Sequence, residues 1–283
     1  IDCKGKIMLC SASSLFHDEE DQMKILRFKE NGGKIISVQH GGCYGDLFFQ
    51  TNQPEYSFDK FISWGQKNHP NFNLSFDPLP SPQLKKLKCD LNSGKILYVS
   101  TSGFFYVPRY GIRDFSDSYY RYKDTIEFFS KIQPSLLNRI EFKGMLPCHF
   151  SEIDELKKRF KNLKITDHPP EKKINEISLV IINNYSTFFY KCLASNIPTI
   201  LFTRKNTWKL HDKALKIYDS LEQSGVYLND VNSITDKLKM NLNEIHEWWF
   251  SEKVQKARKL FCSEFAWRSE SYFKDWIDYL KKL

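Results

Sequence analysis

Residues 177–202, ISLVIINNYSTFFYKCLASNIPTILF, decide the fold class of this chain of 283 residues. The stretch holds two apolar runs of strand length, at 179–182 and 199–202, on either side of a segment of helical length at 188–194. Pro198 cannot continue the helix and leads directly into the second run. A strand, a helix and a second strand in this order predict a βαβ unit, in which the two strands lie parallel in one sheet.

The same alternation extends in both directions from this unit. The predicted strands lie at residues 6–11, 34–39, 58–65, 95–100, 139–142, 163–166, 179–182 and 199–202. The predicted helices lie at residues 17–31, 119–132, 151–160 and 188–194, and a helical tail follows at 233–283. We expect the first strand to be buried, and Met23, Leu26 and Phe28 to form the apolar face of the first helix. The chain is therefore predicted to be an α/β protein with doubly wound parallel sheets.

Three prolines interrupt the alternation between the third and fourth strands. Pro78, Pro80 and Pro82 lie in a segment that can be neither helix nor central strand, which places an inter-domain linker at about residues 76–92. The predicted units are residues 1–85 as a first, incomplete domain, 93–265 as a second domain, and 266–283 as a helix that packs back on the first. Because the chain begins at Ile1, a few residues before a strand, we expect that an N-terminal region is missing.

The composition narrows the class of protein. Hydrophobic residues make up 41%, which excludes global disorder. No apolar run approaches the roughly 18 residues of a membrane span, so we expect a soluble protein. Seven scattered cysteines without a CxxC pair argue against a disulfide framework or a zinc site and favour a reducing, cytoplasmic compartment.

The loop at 39–45, QHGGCYG, directly follows a predicted strand. Its glycines let the backbone turn sharply and approach a ligand, and His40 at the end of a strand is a candidate general base. The alternative is a tight turn with a hydrogen-bonded structural histidine. Besides His40, the candidate substrate contacts of this loop are Gly41, Gly42, Tyr44 and Gly45.

A second loop, at 184–187, connects a predicted strand to a predicted helix. Asn184, Ser186 and Thr187 place polar side chains at the start of this helix, where free N–H groups form an anion site that phosphate commonly occupies. The alternative is an ordinary Ser/Thr N-cap. The downstream Asn196-Ile197-Pro198 favours the functional interpretation, because this arrangement recurs in domains that bind activated donors.

Further candidates lie at the ends of other strands. We expect the active centre to lie in a crevice between the loops at 39–45 and 184–187. Thr101, Ser102 and Gly103 close the strand at 95–100 and could line this crevice, although an ordinary βα turn is equally compatible. Lys143 follows the strand at 139–142, where a cation could neutralise a leaving phosphate. His168 follows the strand at 163–166 and could bond phosphate or ribose.

Several common templates are absent from the sequence. It contains no GxGxxG, GxxxxGK[ST], GxSxG or HExxH motif, and no DxD pair of the kind that holds a divalent cation in many sugar transferases. We therefore expect no cofactor and no metal requirement. The net charge of +8 reflects either a lysine-rich surface or attraction to an anionic ligand or membrane face. The lysines and arginines are spread along the chain and form no block, which argues against nucleic acid as a partner.

Three stretches resemble a known family: QHGGCYG, NYSTFFYKCLASNIPTILF, and EWWFSEKVQKARKLFCSEFA at 247–266. They look like bacterial transferases found in O-antigen and other surface-polysaccharide gene clusters. More distantly, they are similar to transferases that use CMP-activated Kdo, sialic or pseudaminic acid. The resemblance implies a GT-B-like fold of two Rossmann-like domains without a metal, with an acceptor-side N-terminal domain and a nucleotide-sugar donor-binding C-terminal domain.

The resemblance also implies residue roles. Ser186 and Thr187 match a pair that holds the donor phosphate. Lys143 is the counterpart of a Lys-x-His-Pro motif, but Met145 stands where that histidine would be, and His-Pro occurs only at His168.

The implied activity is transfer of a sugar from a nucleotide-activated donor to a surface-glycan acceptor. A CMP-linked donor carrying an acidic nonulosonate or Kdo-type sugar is expected, with His40 acting on the acceptor at the inner face of the bacterial membrane. The alternatives are a polyol-phosphate or other group transferase of the same fold, and a non-catalytic nucleotide- or sugar-binding module.

Overall fold

The chain forms two parallel β-sheets flanked by helices in the computed structural model. The structure describes residues 2–11, 19–48, 54–100, 115–144, 152–205 and 207–283, with side chains from Ser118 onward in the helix that begins at Phe115. Thr101, Ser102 and Gly103 therefore lie outside the described residues. Within both sheets, the described strand pairs are all parallel.

The first sheet has four strands in the spatial order β1-β2-β3-β4. They are β1 (Ile7–Ser11), β2 (Lys34–Val38), β3 (Lys60–Ser63) and β4 (Asp77–Pro78). The proline-rich segment thus begins as the short strand β4, where Pro78 is tolerated because none of the described strands pairs with β4 on its outer side.

The exposed side chains of the first unit differ from those predicted. Strand β1 is an edge strand whose Ile7 and Leu9 are 38% and 46% exposed, so the prediction that it is buried is wrong. Helix α1 (Glu19–Glu30) faces the sheet with Ile25 and Phe28, whereas Met23 and Leu26 are exposed.

The second sheet has six strands in the order β10-β9-β8-β5-β6-β7. They are β5 (Ile96–Val99), β6 (Ile140–Lys143), β7 (Lys164–Ile165), β8 (Leu179–Ile182), β9 (Thr199–Phe202) and β10 (Tyr227–Leu228). The chain starts at β5, winds to one edge, then returns to β8 and winds to the other edge. This doubly wound order confirms the predicted α/β class and sets a topological switch point between β5 and β8, where such sheets bind ligands.

Helices cover both faces of the second sheet. They are α2 (Phe115–Lys131), α3 (Pro134–Leu137), α4 (Glu152–Arg159), α5 (Pro170–Lys173), α6 (Thr187–Ala194), α7 (Asp212–Gln223), α8 (Val231–Lys237), α9 (Leu242–Phe250) and α10 (Glu252–Phe265). Alternate residues of the central strands enter two different cores. Val180 and Ile182 pack in one core and Leu179 and Ile181 in the other, as the two-residue period of a strand requires. Every residue of β8 is therefore buried.

The last helix, α11 (Tyr272–Leu280), lies against the first sheet. Trp276 donates its indole N–H to the carbonyl oxygen of Pro80 at 2.8 Å, and Tyr279 donates its hydroxyl to Asp77 at 2.5 Å. Both rings pack against apolar residues of this sheet, including Ile36. Among the helices of the described residues, none has the length and apolar character needed to cross a bilayer.

Candidate functional site

The loop that follows β2 touches the loop that follows β8. Gly42 donates its backbone N–H to Oγ1 of Thr187 at 3.1 Å, and a β-carbon placed on Gly41 would lie 2.9 Å from the same oxygen. The thiol of Cys43 lies 3.6 Å from the carbonyl oxygen of Tyr185. The structure therefore brings together the two loops between which the sequence predicts the active centre.

Residues 46–48 extend this contact between the two parts of the chain. Phe48 donates its N–H to the carbonyl oxygen of Lys209, and His211 donates its N–H to that of Asp46, at 2.8 and 2.9 Å. The buried carboxylate of Asp46 also accepts hydrogen bonds from the hydroxyls of Tyr190 on α6 and Tyr218 on α7. Burial raises the pKa of Asp46 to about 6, although these tyrosine hydrogen bonds oppose the rise. No local pattern in the sequence marked Asp46 as this connecting residue.

The glutamine that opens the first loop fixes its course. Gln39 donates its side-chain N–H to the carbonyl oxygen of Gly41 at 2.7 Å and accepts the backbone N–H of Trp64 at 2.8 Å. Gly42 is required because a β-carbon there would lie 2.5 Å from the ring of Tyr190. The backbone of the loop is thus held against α6.

His40 begins a hydrogen-bonded chain into the interior. Its side chain is 46% exposed, and its Nδ1 lies 2.6 Å from the hydroxyl of Tyr44, which donates to Oε1 of Glu55. Glu55 has no exposed surface, and burial raises the pKa of its carboxyl to about 7 against the opposing effect of the Tyr44 hydrogen bond. Glu55 is a functional candidate that the sequence alone did not single out.

Two residues of the first loop lie in the interior instead of facing a ligand. Tyr44 is 1% exposed, and a β-carbon on Gly45 would lie 1.8 Å from the side-chain amide of Gln66. Tyr44 and Gly45 therefore pack beneath the loop, and their contact with substrate stays a prediction. Gly41 and Gly42 lie at the junction with Thr187.

The start of α6 carries polar atoms that the described residues leave unused. Ser186 is the N-cap residue, but its side chain makes no capping hydrogen bond. Its buried Oγ and the buried Oδ1 of Asn184 have no hydrogen-bond partner among the described residues. Buried oxygens in folded proteins are nearly always bonded, so these two oxygens make the start of α6 a candidate binding position.

A buried polar network supports this helix start from below. Asn183 donates to Oγ of Ser100 at 2.7 Å, and Ser100 donates to Glu152 at 2.7 Å. The network joins the ends of β8 and β5 to α4, directly at the switch point. It therefore holds the backbone that leads into Asn184.

The remaining candidates lie along the same edge of the sheet. Lys143 is paired with Val99, which is paired with Ile182, so two interstrand steps of roughly 4.8 Å separate Lys143 from β8. Its Nζ lies 3.5 Å from the carbonyl oxygen of Asp167. His168 is exposed beyond β7, which lies three strands from β8 in the order of the sheet.

The described residues contain no group of three or more His, Cys, Asp or Glu side chains arranged to hold a metal ion.

Comparison with known proteins assigns the chain to a family. It belongs to the family described as LIC12162 family transferase, whose family model matches residues 3–280. No curated protein matches the chain.

Solved structures show distant likenesses. The wall teichoic acid polymerase TagF aligns with a TM-score of 0.49 and 12% identity, over 89% of this chain and 67% of that chain. MurG of Acinetobacter baumannii aligns with a TM-score of 0.46 and 13% identity, over 91% and 69% of the two chains. The spinosyn forosaminyltransferase SpnP aligns with a TM-score of 0.44 and 10% identity, over 98% and 75%.

Proposed function

We propose that this transferase is a GT-B-type glycosyltransferase, which binds a nucleotide-activated sugar between the loops at 39–45 and 184–187. One observation supports the proposal: Gly42, two residues after His40, donates its N–H to Thr187 in the first turn of α6, where two buried oxygens have no partner among the described residues. This helix starts at the switch point of a doubly wound sheet, where a phosphate-bearing ligand is favoured by both the topology and the helix dipole.

In this proposal the donor phosphate lies at the start of α6. Ser186 and Thr187 supply hydroxyls, the first turn supplies N–H groups, and Asn184 contributes its side chain. Lys143 neutralises the phosphate as it leaves, and Thr101, Ser102, Gly103 and His168 are secondary candidates for contacts with the donor. A CMP-linked acidic sugar is the proposed donor, and the net charge of +8 favours such an anionic ligand.

His40 acts on the acceptor in the proposed reaction. An acceptor hydroxyl attacks the anomeric carbon, the bond from that carbon to the phosphate oxygen breaks, and its electron pair leaves with the nucleotide phosphate. The hydroxyl proton passes to His40. Preorganised hydroxyls and N–H groups at α6 stabilise the charge that develops on the leaving group, so the proposed reaction needs no metal.

The proposal divides the chain by role. Residues 1–85 form an acceptor-side unit, 93–265 form the donor-binding domain, and 266–283 fasten the C-terminus to the first unit. The acceptor is a surface glycan, and the basic surface could hold the enzyme against an anionic inner membrane face.

The substitution Ser186→Ala tests the phosphate role. Because the Ser186 side chain makes no capping hydrogen bond, we expect the free energy of unfolding to stay within about 0.5 kcal/mol of the wild-type value. The rate of transfer should fall roughly 10- to 100-fold. Initial rates are measured with CMP-, CDP- and UDP-linked donors, together with thermal unfolding of the same samples.

A matched control is Ser251→Ala. Ser251 is an N-cap residue that does bond the helix, accepting from the N–H of Val254, so its loss should cost about 1 kcal/mol of stability and leave transfer unchanged. Unchanged transfer in Ser186→Ala would refute the phosphate role.

A further inference from the structure

His40, Tyr44 and Glu55 form a chain of hydrogen bonds whose direction depends on the charge of Glu55. The hydroxyl of Tyr44 carries one proton, and it donates that proton to Glu55. The same oxygen lies 2.6 Å from Nδ1 of His40. While Glu55 is ionised, the only proton of Tyr44 is directed toward the carboxylate, so the tyrosine oxygen can bond Nδ1 only as an acceptor and Nδ1 carries the proton.

We propose that Tyr44 and Glu55 are positioning residues that hold the proton of His40 on Nδ1, so that Nε2 is the nitrogen able to accept a proton from the acceptor. This role rests on the proposed function for its consequence in catalysis, but the tautomer itself is a property of the protein alone. The two residues act through His40 and do not contact substrate.

The surroundings hold the chain in place. Tyr44 is 1% exposed and Glu55 has no exposed surface. The ring of Tyr44 stacks on Phe61 at 5.8 Å and meets Tyr56 edge-on at 6.2 Å. Such packing restricts the tyrosine to one orientation, so its hydroxyl stays between the carboxylate and the imidazole.

The carboxylate of Glu55 is also positioned to stabilise the positive charge that His40 gains when it accepts a proton. When Nε2 takes a proton the imidazole becomes a cation, and Oε1 of Glu55 lies 4.0 Å from Nδ1. Because Glu55 is buried, its negative charge at this distance stabilises the imidazolium, as an acidic partner does for the histidine of a hydrolase triad.

Protonation of Glu55 would reverse the chain. A neutral carboxyl can donate to Tyr44, and the tyrosine would then donate to Nδ1 and leave the proton of His40 on Nε2. Burial raises the pKa of Glu55 to about 7, so the reversal falls near neutrality. Cys10 and Tyr56, which face Glu55, have pKa values raised by burial and stay neutral there, whereas the pKa of Asp46 near Tyr56 is raised to about 6.

The tautomer can be observed directly. Long-range ¹H–¹⁵N spectra of the full chain labelled with ¹⁵N-histidine, recorded at pH 8, should show His40 protonated on Nδ1 and unprotonated on Nε2. The His40 signals are assigned by their loss in His40→Gln. In Tyr44→Phe the preference should disappear, and in Glu55→Gln it should weaken, since an amide oxygen accepts less strongly than a carboxylate.

Tyr56→Phe is the matched control. Its ring packs on Tyr44, but no hydrogen bond is found for its hydroxyl among the described residues, so the His40 spectrum should not change. Where transfer is measured, Tyr44→Phe should lower kcat roughly 10-fold or more, and Tyr56→Phe by less than about twofold.

A proton on Nε2 in the wild-type protein, or an unchanged spectrum in both Tyr44→Phe and Glu55→Gln, would overturn the inference. If Tyr44→Phe does not fold, the spectrum of Glu55→Gln tests the inference in its place. Absence of transfer by the wild-type protein would count against the proposed function alone, because the spectra decide the tautomer without any turnover.

Discussion

At the scale of single residues, Glu55 makes the stability depend on pH. Burial raises the pKa of its carboxyl from 4.5 to about 7, so the folded state holds the proton more tightly than the unfolded state. The associated stability is fully present below pH 4.5 and is lost as the pH rises through 7. Relative to Glu55→Gln, the wild-type free energy of unfolding should fall by roughly 3 kcal/mol between pH 4.5 and 8.

Urea unfolding of the two proteins at several pH values measures this difference. Asp46 also has a raised pKa and acts in the same direction, but it is present in both proteins and cancels in the comparison. Parallel stability curves for wild type and Glu55→Gln would show that the Glu55 carboxyl is not desolvated as the structure indicates.

The sequence predicts residues of this site unevenly. His40, Ser186 and Thr187 follow strands or open a helix, and such positions can be recognised from local patterns. Glu55 and Asp46 are single acidic residues with no neighbouring motif, and their burial depends on partners far along the chain. Tyr44 shares a loop with His40, but only the packed structure shows that it points inward.

At the scale of elements, α11 fastens the C-terminus to the first sheet. Trp276→Ala would remove the hydrogen bond to Pro80 and the contacts with the core around Ile36, and we expect a loss of about 2–4 kcal/mol in the free energy of unfolding. Phe273 lies on the same helix and is 68% exposed, so Phe273→Ala should cost less than about 0.5 kcal/mol.

Denaturant unfolding of both variants compares the two faces of α11. Equal losses for Trp276→Ala and Phe273→Ala would mean that the helix does not dock through its tryptophan face.

The elements themselves were largely predictable, and their exposure was less so. The apolar runs at β5, β8 and β9 have the length and composition of buried parallel strands, and the structure places them there. Strand β1 has the same apolar character but lies at the edge of its sheet, which no property of its own sequence reveals. In α1, Ile25 is buried, while the apolar side chains of Met23 and Leu26 remain exposed.

At the scale of the whole molecule, the candidate site exists only where the two parts of the chain meet. Gly42 and Thr187 are 145 residues apart in sequence, and no local pattern predicts that they share a hydrogen bond. The sequence does predict where each strand ends. These ends indicate which loops to consider, because ligands of doubly wound sheets lie there. The sequence predicts an active centre between these two loops, and the folded structure supplies the hydrogen bond that joins them.

The measurement that tests the central claim most directly is nucleotide-induced thermal stabilisation of the wild-type protein and Ser186→Ala. At a hundredfold excess over Kd, binding adds about 2.7 kcal/mol and should raise Tm by roughly 5 °C. CMP or CDP should stabilise the wild-type protein, UDP and ADP should not, and Ser186→Ala should lose most of the shift. No stabilisation by any nucleotide, or an equal shift in Ser186→Ala, would contradict a donor phosphate at the start of α6.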